Sequence, residues 1–145
     1  MISTQLARAL QDSGLVWRPS SGDDFRIDRP EVDGDVFTVS EMTVEAYEHP
    51  SGTILGFNGT TEWALDSVEL DDAVWLPKEN QLRELLRGAF RTLERQTDDD
   101  GSVLYLVEAV IRGMTVSFAG SEAADAYGRA LLALIDTSAD IVVEE

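Results

Sequence analysis

Few side chains in this sequence could do chemistry, and they are scattered. One histidine, His49, stands before Pro50 in a turn sequence. A lone imidazole makes no histidine metal site, and as a general base it needs an orienting carboxylate and a nearby nucleophile. Glu48 adjoins it, but neighbours on a strand point to opposite faces. There is no cysteine, which removes a disulfide framework, thiolate metal ligands and a cysteine nucleophile. The stretch from Gln96 places Asp98, Asp100 and Gly101 at the third, fifth and sixth positions of a calcium loop. Gln96 replaces its first carboxylate, however, and Val107 stands where the twelfth, bidentate acid belongs, with Glu108 one residue late. The segment therefore reads as an acidic loop leading into a hairpin, and Asp33-Gly34-Asp35 and Asp71-Asp72 read as turns. No phosphate-cradling glycine loop and no Gly-x-Ser-x-Gly elbow occurs, and the single lysine, Lys78, follows a proline. These residues predict a non-enzyme with no catalytic residue, metal or cofactor.

One pattern rises above this background. Arg83, Arg87, Arg91 and Arg95 recur every four residues inside a segment whose Leu82, Leu85, Leu86, Ala89, Phe90 and Leu93 fall at helical spacing. On a helix from Pro77 to Gln96 they form a basic ridge beside a leucine stripe. With Lys78, five cations face Glu79, Glu84 and Glu94, so residues 78–95 carry +2 while the whole chain carries −17. Two readings stay open. The ridge is a solvated face with helix pairs such as Glu79 with Arg83, or it is a contact strip for an acidic partner or for the acidic face of a second copy, as in a homodimer. The four arginines are the candidate partner-binding residues.

Twenty-eight acids against eleven bases make a field that repels DNA, RNA and anionic membranes, because phosphate contacts supply most non-specific nucleic-acid affinity. The composition, 43% hydrophobic and 27% charged over 145 residues, is that of a folded protein of ordinary domain size. No apolar run approaches the ~20 residues that span a bilayer. The start, Met1 to Leu6, lacks the basic and apolar regions of a secretory signal, so a cytoplasmic location is expected.

The elements that must position these residues follow from periodicity and caps. Ser3 to Ser13 reads as a short helix with Ser3 as N-cap and Gly14 as stop. Short strands are expected at Phe25–Ile27, Val36–Val39, Met42–Tyr47 and Thr53–Phe57, with Asn58-Gly59 as a tight hairpin turn and Thr60–Val68 as the return strand or a competing helix. After Ala73–Leu76 comes the long helix. Val103–Ile111 and Met114–Phe118 flank a turn at Arg112-Gly113, and Ser121 caps a last helix ending near Asp136. The expected fold is α+β. A single domain over 1–136 carries an antiparallel, meandering sheet of about five to seven strands with two main helices and a short N-terminal one, and 137–145 form a tail.

Three segments resemble a family of small acidic bacterial proteins that often carry a pilus-assembly (CpaE-type) label. They are Gly56-Phe57-Asn58-Gly59-Thr60-Thr61-Glu62-Trp63-Ala64-Leu65-Asp66-Ser67-Val68, then Val74-Trp75-Leu76-Pro77 with Gln81-Leu82-Arg83-Glu84-Leu85-Leu86, and Glu122-Ala123-Ala124-Asp125-Ala126-Tyr127-Gly128-Arg129-Ala130-Leu131-Leu132. The resemblance implies a standalone bacterial protein accessory to a pilus or secretion apparatus, and it brings no catalytic signature. The expected function is thus a non-catalytic interaction protein that binds a protein partner or itself. The alternatives are an acidic nucleic-acid mimic or basic-protein antagonist, and third a small hydrolase with a carboxylate site.

Overall fold

The computed structural model describes residues 1–28, 35–39, 44–49, 52–57, 67–69 and 72–144. In chain order the elements are α1 (Thr4–Asp12), β1 (Asp24–Ile27), β2 (Val36–Thr38), β3 (Val44–His49), β4 (Gly52–Phe57), β5 (Ser67–Glu69), β6 (Ala73–Trp75), α2 (Glu79–Leu86), β7 (Phe90–Thr97), β8 (Val103–Ile111), β9 (Met114–Gly120) and α3 (Ala123–Glu144). The chain is α+β, and its described strands form three antiparallel three-stranded sheets, ordered β2-β1-β6, β3-β4-β5 and β7-β8-β9. That replaces the single meander of five to seven strands expected from the sequence. Two compact units are present, one from Met1–Val16 with Pro77–Glu145, the other from Trp17–Leu76.

The unit built from both ends of the chain is layered. Ser3 Oγ accepts the Leu6 amide at 3.3 Å and starts α1, and Gly14, at φ 113°, ends it. Helix α3 packs on α1, α2, β8 and β9. Its Ala126, Tyr127, Ala130 and Leu131 are buried, as are Leu82 and Leu86 of α2 and Val107 and Ala109 of the central strand β8. Each such leucine contributes roughly 1.5–3 kcal/mol by leaving water. Phe90 of β7, opposite Ala109, sets its ring 5.6 Å from that of Tyr127, so α3 lies on the sheet face that carries Val107 and Ala109. Arg112 (φ 52°) and Gly113 (φ 77°) make the two-residue turn that joins β8 to β9, the left-handed pair that a type I′ hairpin requires.

In the other unit β1 lies between β2 and β6, and Phe25 stands opposite both Phe37 and Trp75. The loop before β1 is tied by one buried carboxylate. Asp23 Oδ2 accepts the Trp17 indole Nε1–H at 3.0 Å and the Ser20 amide at 3.1 Å. Desolvating a charge is tolerated there because donors surround it.

The long helix expected from Pro77 to Gln96 is not formed. Helix α2 stops at Leu86, one turn of 3-10 helix covers Arg87–Ala89, and Phe90–Thr97 is strand. Arg87 leaves the helix at φ 52°, ψ −130°, a conformation that favours glycine, and Gly88 follows it. Beyond that break, Phe90, Thr92 and Thr97 suit a strand, and β8 offers an antiparallel partner whose pairing outweighs helix propensity. At its other end α3 runs to Glu144, past Asp136 and through most of the expected tail. The β4–β5 register pairs Gly56 with Ser67, and the expected tight turn at Asn58-Gly59 lies outside the described residues. Residues 58–66, with Trp63 and most of the expected return strand, lie outside the described residues, as do Asp33-Gly34 and Asp71.

Candidate functional site

The helix break disperses the arginine ridge. Arg83 stays on α2, Arg87 sits at its C-terminal break, and Arg91 and Arg95 lie on β7. Arg83 reaches α3, where it hydrogen-bonds Tyr127. Arg91 turns back onto its own chain, its Nη1 donating to the carbonyls of Gly88 and Phe90. The sheet register shifts between Phe90 and Thr92, so Arg91 is the extra residue of a β-bulge. Arg95 is exposed and stands directly opposite Tyr105 of β8. A four-residue spacing that would align side chains on a helix here spans a helix, a break, a bulge and a strand. The signal that could have exposed this was Arg87-Gly88, a helix stop followed by β-forming residues.

What the fold does assemble is centred on β7. From Arg91 to Thr97 every residue of this strand is exposed, Leu93 by 40%, and among the described residues β7 pairs only with β8. Leu93 and Arg95 lie opposite Val107 and Tyr105, so both project on the face that α3 covers further along the sheet. Beside them opens a cleft of about 340 Å³ lined by Glu79, Leu93, Tyr105, Ser121, Glu122 and Ala123. It brings the start of α2 and the approach to α3 against two strands. Glu122 Oε2 meets the Met1 ammonium at 2.5 Å. The site thus combines an exposed strand, an apolar leucine, a phenol and two carboxylates, with Arg95 on the strand opposite the phenol-bearing Tyr105.

The acidic turn after β7 is occupied with itself. Ser102 donates its amide to Asp100 Oδ1 at 2.9 Å, and its hydroxyl reaches Asp100 Oδ1 at 2.6 Å and Asp98 Oδ2 at 3.2 Å. These hydrogen bonds hold the Asp100 carboxyl below its ordinary range. Among the described residues no group of three or more His, Cys, Asp or Glu side chains is placed to hold a metal ion. No described helix is long and apolar enough to cross a membrane.

Tyr127 gives the Arg83 contact a measurable signature. The residue is 2% exposed, and burial raises its hydroxyl above the ordinary 10.0, while Arg83 opposes that rise by charge and by a hydrogen bond. The folded chain therefore holds a proton that the unfolded chain releases. Stability fully present below pH 10.0 declines as pH rises through the folded value. Replacing Arg83 with Met removes the opposing influence, so the alkaline phenolate transition, followed by ultraviolet absorbance, moves to higher pH. A midpoint that stays put or falls would show that Arg83 does not act on Tyr127.

Compared with known proteins, the chain matches no family model, no curated protein and no solved structure.

Proposed function

We propose that this chain is a non-catalytic cytoplasmic accessory protein that works through protein contacts, with the β7 edge as its contact surface. The observation that carries this reading is the exposure of β7 from Arg91 to Thr97 beside the Leu93–Tyr105 cleft. A free edge offers backbone donors and acceptors to an added strand, and pockets beside it select alternate side chains. Arg91 and Arg95 supply positive charge on a chain of net charge −17, so the favoured partner is an extended segment carrying acidic residues, with one apolar side chain for the cleft. The resemblance to small pilus-labelled bacterial proteins supports an accessory role in a pilus or secretion apparatus. Of the four arginines picked out by spacing, Arg95 and Arg91 are the partner-binding pair in this reading, and Arg83 and Arg87 serve α2.

The test is selection from a displayed library of random peptides, followed by affinity measurement. Binders are expected to alternate acidic and apolar residues. Arg95→Glu should weaken them on the order of tenfold, as loss and reversal of one partly exposed charge pair does. Added salt should weaken them as well. Binders indifferent to Arg95→Glu and to Leu93→Asp would remove β7 as the contact edge.

A further inference from the structure

The opposite edge of the same sheet differs from β7 in one decisive way. Strand β9, Met114-Thr115-Val116-Ser117-Phe118-Ala119-Gly120, contains no charged residue and no proline, although 27% of the chain is charged. Met114 is 69% exposed and Val116 38%, and among the described residues β9 pairs only with β8. Free edges are ordinarily guarded by charge, proline or a bulge against pairing with other chains. Strand β7 has such guards, namely Arg91 at its bulge, Glu94 and Arg95. Strand β9 has none.

We infer that β9 pairs with β9 of a second copy, antiparallel and about a two-fold axis near Val116, and that this surface is separate from the β7 contact edge proposed above. A second strand satisfies the donors and acceptors of a strand edge together, and an isologous contact closes after two copies. The charge distribution selects a second copy as that strand. Two chains of net charge −17 repel, so they approach most cheaply through a segment free of charge. The axis near Val116 sets Val116 on its symmetry mate, Met114 opposite Phe118, and Thr115 opposite Ser117, with no like charges opposed. Met114, Val116 and Phe118 lie opposite Ile111, Ala109 and Val107, so the pairing continues the apolar face that α3 covers on β8. The same operation on β7 fails at each central position. An axis at Leu93 opposes Arg91 to Arg95, one at Glu94 opposes two glutamates, and one at Arg95 opposes two arginines. The result is a six-stranded sheet, β7-β8-β9 joined to its copy, whose outer edges are the guarded ones.

Because the chain lacks cysteine, single introduced cysteines report the geometry directly. Opposed residues of antiparallel strands lie about 4.5–5.5 Å apart at Cα, within the span of a disulfide. Val116→Cys should therefore cross-link to a dimer under mild oxidation, and Arg95→Cys on the other edge should not. In sedimentation the unmodified full chain should run at twice its 15.9 kDa. Its dimer should tighten with added salt, which screens the repulsion and separates this contact from the salt-weakened β7 contact. Val116→Lys should raise the dimer dissociation constant at least ~10-fold, as a buried unpaired charge does. Should that variant misfold, the cross-linking pair decides alone. A 15.9 kDa species at all concentrations, or cross-linking at Arg95→Cys equal to that at Val116→Cys, overturns the proposal.

Discussion

Replacing Phe25 with alanine is expected to lower the stability of its unit by about 3–5 kcal/mol, the range for removing a fully buried phenylalanine. Phe25 is 0% exposed and lies on the middle strand of the β2-β1-β6 sheet. Its ring is 5.6 Å from that of Phe37 on one side and 5.3 Å from that of Trp17, which in turn stacks on Trp75 at 6.4 Å with ring planes 10° apart. Such aromatic pairs add about 0.5–1.5 kcal/mol each beyond the area they bury. The alanine variant therefore opens a cavity and also loosens Trp17, whose indole N–H is bound to Asp23. Denaturant unfolding followed by tryptophan fluorescence reads both effects, because Trp17 and Trp75 are reporters inside the cluster. Val16→Ala is the reference, since Val16 is 69% exposed and its loss should stay within about 0.5 kcal/mol. A Phe25→Ala loss below about 1.5 kcal/mol would contradict the placement of this ring at the centre of the cluster.

The sequence made some of this legible and concealed the rest for physical reasons. Helix α1 was readable because its start and stop are local, a serine hydroxyl on a backbone amide and a glycine at positive φ. The β8–β9 hairpin was readable because Arg112-Gly113 interrupts two β-rich runs, and the turn type depends on two residues. The segment 87–97 was misread because Leu82, Leu86, Phe90 and Leu93 satisfy helical spacing whether or not the chain continues as a helix. What decides it is β8, six or more residues away in sequence and in need of a neighbour, together with the break at Arg87-Gly88. The candidate site suffered most from this. The arginines were found by a spacing that has no meaning across a helix break, and only Arg95 and Arg91 end on the exposed edge. Tyr105 and Glu122 carried no site signal and Ser121 signalled only a helix start, because a cleft made by residues from four elements has no sequence period. The partition of strands among three sheets was likewise hidden, since short strands of similar character do not encode which of them pair.

Gly120→Ala is expected to destabilise its unit by about 2–3 kcal/mol and to abolish peptide binding at the β7 cleft, whereas Gly128→Ala should be close to neutral in both respects. The two glycines are alike in being close to neighbouring atoms and differ in what those atoms are. A methyl at Gly120 would sit 2.8 Å from the Ala126 amide nitrogen and 2.9 Å from the Glu122 carbonyl oxygen, backbone atoms of the first turn of α3 that cannot rotate away. That turn is held by the Asp125 and Ala126 amides, both donating to the Glu122 carbonyl. Overpacking of this kind costs about 1–3 kcal/mol even where side chains can yield, so a rigid neighbour belongs at the upper end. At Gly128 the methyl would meet Leu6 Cδ2 at 2.7 Å and Ile2 Cδ1 at 3.1 Å, the far ends of flexible side chains on the neighbouring segment. Their adjustment is offset by the gain of about 1 kcal/mol that alanine brings over glycine inside a helix. The functional half of the prediction follows from position. Gly120 ends β9 opposite Tyr105 and leads directly into Ser121, Glu122 and Ala123, so displacing it moves four of the six residues that line the cleft. Thermal or denaturant unfolding gives the stability change, and affinity for the β7-selected peptides gives the binding change. Equal losses in the two variants would mean that the start of α3 is free to move, and the cleft would then lose its claim to be a built site.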